Sequence, residues 1–248
     1  MKSVLQTLQS TEWIKDCRSD IPDIETAYDV QDRVMAEIAT MRGGFVGYKI
    51  AFNTLAMMNK LNITQPAVGR IIADQVYENG VKLDASNYRH LMTEPEIAAV
   101  LGDDIIAGDT VTTDMAEAAV ARYFPAFEIL DRRNFEGMMH VPTVVAHNVF
   151  NAGIVCGGRG LTPAEFYWHK VETRCTDNAE TVVQGIGIAP QNPAEAVAFI
   201  ANHAIARGQS LPKGSLLLLG AHCPLYKVEA GREMRLSIAG LGEVSFST

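Results

Sequence analysis

The chain has 248 residues, 48% hydrophobic and 20% charged, with 21 basic against 29 acidic side chains and a formal net charge of −8. That composition suits a soluble globular fold with a sizeable core and excludes a disordered chain, and the acidic excess argues against general binding to nucleic acid or to an acidic membrane surface. Four scattered cysteines (Cys17, Cys156, Cys175, Cys223) read as reduced thiols; no apolar run reaches membrane-span length and Met1-Lys-Ser-Val-Leu-Gln is too polar for a signal peptide, so the expected compartment is the cytoplasm.

Apolar spacing predicts a helix from Ser3 to Trp13 and a stronger one from Asp23, where Ala27, Val30, Val34 and Ile38 form one stripe that Gly43-Gly44 ends. Residues 1–44 therefore read as a small helical lobe ahead of a mainly β domain over 45–248. Phe45 to Phe52 reads as a strand in which Lys49 is the only charge, either a snorkelling edge residue or the partner of a buried acid. Thr54 to Leu61 reads as a short helix and Val68 to Tyr77 as strand, followed by a hairpin-type turn at Glu78-Asn79-Gly80-Val81.

The next stretch, His90-Leu-Met-Thr-Glu-Pro-Glu-Ile-Ala-Ala-Val-Leu101, is the most informative. In a strand, residues two apart share a face, so Glu94, Glu96, Ala98 and Val100 fall together, with Pro95, Ile97, Ala99 and Leu101 opposite. Tyr123-Phe-Pro-Ala-Phe-Glu-Ile-Leu130 repeats the pattern, placing Phe124, Ala126, Glu128 and Leu130 on one face. Three acids in apolar strands need a cation, a proton or strong donors, and all-oxygen ligation suits Mg²⁺ or Mn²⁺ better than Zn²⁺. The plainer alternative is that each acid faces water or meets a lysine or arginine. Asp103, Asp104 and Asp109 read as solvated loop acids, and Thr113 to Arg122 as a capped helix leading into the second acidic strand.

Farther on, Val144 to Gly158 reads as helix and then strand, with His147 and Asn148 inside its apolar run; a buried histidine there is either a satisfied core residue or a catalyst. Glu165 to Arg174 and Thr181 to Gly187 read as strands. Asn192-Pro193 opens a helix that Gly208 caps, Ser215 to Ala221 is a buried strand by its unbroken apolar run, and Glu233 to the end is a hairpin.

The order Gly47-Tyr-Lys49-Ile, Gly69-x-Ile-x-x-Asp74, Glu94-Pro-Glu96-Ile-Ala, Pro125-Ala-Phe-Glu128-Ile, Ala146-His-Asn148, Asn192-Pro-x-x-Ala-Val, Leu218-x-Gly220-Ala221 and Gly240-Leu-Gly-x-Val resembles the 2-oxopent-4-enoate hydratases. It resembles equally the 4-oxalocrotonate decarboxylases beside them in the fumarylacetoacetase superfamily. The resemblance implies an α+β fold, a small helical N-terminal part plus a β-rich domain of rolled mixed sheets. It further implies Mg²⁺ or Mn²⁺ bound by Glu94, Glu96 and Glu128, with the family lysine at Lys49. Asn148 and Gly220 fall in motifs that line the substrate, and Arg70 in a segment along the distal part of the cleft. Members assemble as homo-oligomers, often pentamers or pairs of them, and a complex with a pathway enzyme is a further expectation.

Three departures stand out. His147 takes the place of an acidic residue, Leu219 that of a hydroxyl residue, and Arg70 that of a small neutral one. His147 becomes the candidate for handling water or a proton. Arg70 is either a surface or ion-paired arginine or a bidentate partner for a second substrate carboxylate. The implied activity is a metal-dependent hydratase of 2-hydroxy-2,4-dienoates in aromatic meta-cleavage catabolism. The alternatives are a decarboxylase of a 4-oxalocrotonate-type diacid, a C–C hydrolase of the wider superfamily, or a non-catalytic partner subunit of an active homologue.

Overall fold

The computed structural model describes residues 2–106, 108, 110–134 and 139–248, so Asp109 lies outside the described residues. Helix α1 (Lys2–Leu8) is shorter than its apolar spacing predicts, and α2 (Ile24–Met41) starts at an Asp23 cap whose carboxylate accepts from the Thr26 N–H at 2.8 Å. There follow β1 (Phe45–Ala51), α3 (Leu55–Leu61), β2 (Ala67–Ile72), β3 (Val76–Glu78), β4 (Val81–Lys82), β5 (Leu91–Leu101), α4 (Thr113–Ala119), β6 (Val120–Asp131), α5 (Val141–Ala146) and β7 (Asn151–Cys156). The chain closes with β8 (Glu172–Asp177), β9 (Glu180–Ile186), α6 (Pro193–Ala206), β10 (Leu216–Ala221), β11 (Tyr226–Lys227), β12 (Glu233–Ile238) and β13 (Gly242–Ser247). The strand expected from Glu165 to Arg174 forms only at its end; short 3₁₀ turns at Pro163–Glu165 and Trp168–Lys170 precede it.

Two sheets result. The larger has the order β2-β1-β10-β5-β6-β7-β3, with β11 continuing along β5, and the smaller β4-β13-β12-β8-β9. The turn at Asn79-Gly80 is therefore no hairpin, because β3 pairs parallel with β7 in one sheet and β4 parallel with β13 in the other. Longer-range partners outrank the local turn signal.

The larger sheet is rolled, and alternation sorts its two faces. Ile97, Ala99, Leu101, Tyr123, Phe127 and Ile129 join the main core with the smaller sheet and α6, while Ala98, Phe124, Ala126, Ile154, Leu218 and Ile71 fill the inside of the roll. The outer edge of β2 is closed by side chains. Tyr28 Oη accepts from the Val68 N–H at 3.0 Å, Gln31 Nε2 donates to the Val68 carbonyl, and Asn148 bonds both the N–H and the carbonyl of Arg70, at 2.7 and 2.9 Å. The N-terminal helices share their core with Ala67, Ile72, Leu130 and the α5 segment.

One glycine sets how closely two strands approach. A Cβ on Gly47 would lie 1.7 Å from the Leu216 carbonyl oxygen, across the parallel β1–β10 pairing. Gly47→Ala should cost more than about 4 kcal/mol and yield little soluble protein, read from expression and thermal melts.

Candidate metal centre

Register explains how the acids meet. In the antiparallel β5–β6 pair Glu94 lies opposite Glu128 and Glu96 opposite Ala126, so all three acids share the inner face. Each offers one carboxylate oxygen, and these oxygens lie within 4.8 Å of one another. Lys49 enters from β1 on the same face. Its Nζ donates to both oxygens of Glu128, at 3.1 and 3.2 Å, and the pair is essentially sealed from solvent at 1% and 0% exposure.

The surroundings hold these groups in place. Glu128 Oε1 also accepts from Asn151 Nδ2 at 2.8 Å. Glu96 Oε2 accepts from the Gly220 N–H at 2.8 Å, made possible by an irregularity in the β10–β5 register between Leu218 and Ala221. Gly220 has φ +111°, and a Cβ there would strike Asn53 at 2.4 Å and Pro190 at 2.8 Å, so only glycine fits. The other oxygen of Glu96, Oε1, is buried without a hydrogen-bond partner among the described residues.

Electrostatics sharpen the point. Desolvation, then the charge of Glu128, pushes the Glu94 carboxyl up to about 7. Desolvation, then Glu128 and Glu94, raises Glu96 well above the usual carboxylate range. Glu128 is raised by burial against the opposing pull of Lys49 and Asn151. Fully ionised, the three carboxylates and the one ammonium leave two negative charges to be matched. A divalent ion supplies that match, gives the orphan oxygen of Glu96 a partner, and finds only oxygen donors from the glutamates, as Mg²⁺ and Mn²⁺ prefer. The residues present fit such an ion.

The other sequence-derived candidates lie elsewhere. Arg70 pairs with Tyr48 across β1–β2 and Gly69 with Lys49, so the Arg70 side chain leaves the sheet on the face opposite the glutamates. Its guanidinium is paired with Asp32, which also takes Arg207 Nε at 2.5 Å, and stacks over Phe45 with 4.6 Å to the ring centroid. Of the two readings of Arg70, this pairing favours the ion-paired arginine over a bidentate partner for a substrate carboxylate. Asn148 spends its amide on the β2 backbone, and the Gly220 N–H is committed to Glu96. Neither is free for substrate through those groups.

His147 ends α5, buried, and burial lowers its imidazole to about 4. It lines a cavity of about 300 Å³ next to the N-terminal helices, together with Asn148 and Asn151. Asn151 is the residue that sequence reasoning missed. Its position after Asn148-Val149-Phe150, all three at positive φ (56°, 51° and 62°), has no glycine to announce it.

The family described as fumarylacetoacetate (FAA) hydrolase C-terminal matches residues 63–247. A 4-oxalocrotonate decarboxylase of a Pseudomonas species is 30% identical over 238 residues, covering 92% of this chain and 88% of the relative. The 2-keto-4-pentenoate hydratase 2 of Dechloromonas aromatica is 30% identical over 230 residues, covering 92% of this chain and 87% of the relative. Among solved structures, a 4-oxalocrotonate decarboxylase from Pseudomonas putida G7 complexed with magnesium and adipate superposes with a TM-score of 0.91 at 25% identity, over 99% of this chain and 94% of that one.

Proposed function

The chain belongs to the fumarylacetoacetate hydrolase family, in its branch of meta-cleavage hydratases and decarboxylases, and we propose that it is a metal-dependent hydratase of 2-hydroxy-2,4-dienoates that forms 4-hydroxy-2-oxo acids. Glu94, Glu96 and Glu128 would hold the ion, with Gly220 and Asn151 fixing two of those carboxylates. Bound there, Mg²⁺ or Mn²⁺ supplies Lewis acidity toward the 2-oxo group of a chelating 2-oxo acid. Lys49 is the cation for the negative head of the substrate, held by Glu128 so that its ammonium is oriented before the substrate arrives. The interior of the roll beside these groups is apolar.

The observation that favours the hydratase is the disposition of Arg70. It was the arginine candidate for a second carboxylate, and it is spent on Asp32 across the sheet from Lys49. A diacid therefore loses its expected partner. The decarboxylase reading draws support from the 0.91 superposition on a decarboxylase complexed with the diacid adipate. The two separate in one experiment, in which the protein with Mg²⁺ receives 2-hydroxypenta-2,4-dienoate or 4-oxalocrotonate and both dienol absorbance and CO₂ are followed. The expected result is a 4-hydroxy-2-oxo acid from the dienoate without CO₂. Stoichiometric CO₂ from the diacid and no hydration of the dienoate would overturn the reading.

A further inference from the structure

The cavity that His147, Asn148 and Asn151 line also meets Asp131, Arg133 and Tyr77, and Asn151 links it to the glutamate cluster. Most of the polar groups just named are already committed. Both ends of the Asn148 amide bond the β2 backbone. Arg133 is paired with Asp131 at 3.1 Å, and its Nη1 donates to the carbonyls of Thr7 and Ser10 at 2.7 and 2.5 Å.

Two atoms remain. Asn151 donates its Nδ2 to Glu128, which fixes the amide orientation and leaves Oδ1 buried with no hydrogen-bond partner among the described residues. His147 Nδ1 lies 2.8 Å from the Thr143 carbonyl oxygen. A carbonyl can only accept, so Nδ1 carries the hydrogen and Nε2 is a bare acceptor. Both residues are more than nine-tenths buried, at 8% and 2% exposure. The segment between them holds three consecutive residues at positive φ, including β-branched Val149, a costly backbone of the kind that gathers at functional sites.

Both acceptors belong to residues that line this one cavity. They suit a small molecule with two O–H donors. We propose that Asn151 Oδ1 and His147 Nε2 hold the water that is added to the substrate, with His147 as the base that takes its proton; this rests on the hydratase reading. In the step, the water oxygen bonds to C4 of the conjugated 2-oxo-3-enoate as one water proton passes to Nε2. The C3=C4 pair shifts toward the 2-oxo group, C3 then gains a proton from solvent, and His147 returns to its neutral form by giving the one it took to solvent. The net change is addition of H and OH.

The test separates hydration from proton transfer in one protein. His147→Gln keeps an amide that can hold water and removes the base. Hydration should fall at least about a hundredfold. Exchange of the C3 hydrogens of 2-oxobutanoate with D₂O, and Mg²⁺ affinity by calorimetry, should stay within about twofold. A parallel fall of hydration and exchange, or unchanged hydration, overturns the proposal and leaves the hydratase reading standing. A wild-type protein that releases CO₂ and hydrates nothing overturns both. Should the variant fail to fold, a crystal structure of the Mg²⁺-loaded wild type decides: one water bonded to both atoms is expected, and an ordered chamber without it overturns the proposal.

Discussion

Glu96→Ala is expected to abolish Mg²⁺ binding in a calorimetric titration and, with it, all metal-dependent turnover. Glu96 is one of three acids whose oxygens lie within 4.8 Å of each other, and its second oxygen is a buried acceptor with no hydrogen-bond partner among the described residues. The same variant should lose no stability without metal. Removing a buried carboxylate that repels two others relieves a desolvation cost of about 1–3 kcal/mol, which offsets the small void left by the side chain. In the wild type, saturating Mg²⁺ at a hundred times its dissociation constant should add about 2.7 kcal/mol of stability, and in Glu96→Ala that increment should vanish. A thermal shift that persists in the variant would mean the ion sits elsewhere.

Lys49→Met should lower turnover by at least about a hundredfold while Mg²⁺ still binds, and more tightly than in the wild type. The ammonium lies 3.1 Å from Glu128, so a bound ion and Lys49 compete for the same carboxylate. Losing one partner of a fully buried pair typically costs about 3–5 kcal/mol, so the metal-free variant should melt well below the wild type, with Mg²⁺ restoring much of the difference. Weaker Mg²⁺ binding together with a normal turnover number would return Lys49 to a purely structural role.

The acidic face was legible because it rests on the shortest period a chain can carry. Glu94 and Glu96 share a side by alternation alone, and the same rule sets the face of Glu128 within β6, while the register that joins the two strands was implied only by the family resemblance. Arg70 was not legible for a related reason. Alternation says that Arg70 and Gly69 point oppositely, but which of them faces inward depends on Gly69 lying beside Lys49, a register that no local pattern announces. Asn151 depends on a left-handed turn through Asn148, Val149 and Phe150, of which only the asparagine carries a turn signal. Likewise Asn79-Gly80 is a sound turn, yet the partners of its flanking strands lie in two different sheets.

The placement of β10 between β1 and β5 bears on how the chain must be made. Residues 216–221 are translated late, yet they fill the middle of the larger sheet and bring the Gly220 N–H to Glu96. Until they emerge from the ribosome, β1 and β5 each present an unpaired edge rich in apolar side chains, the kind of surface on which nascent chains associate wrongly. The acidic site is thus assembled last, so a chain stalled or truncated before Leu216 is both inert and prone to aggregate.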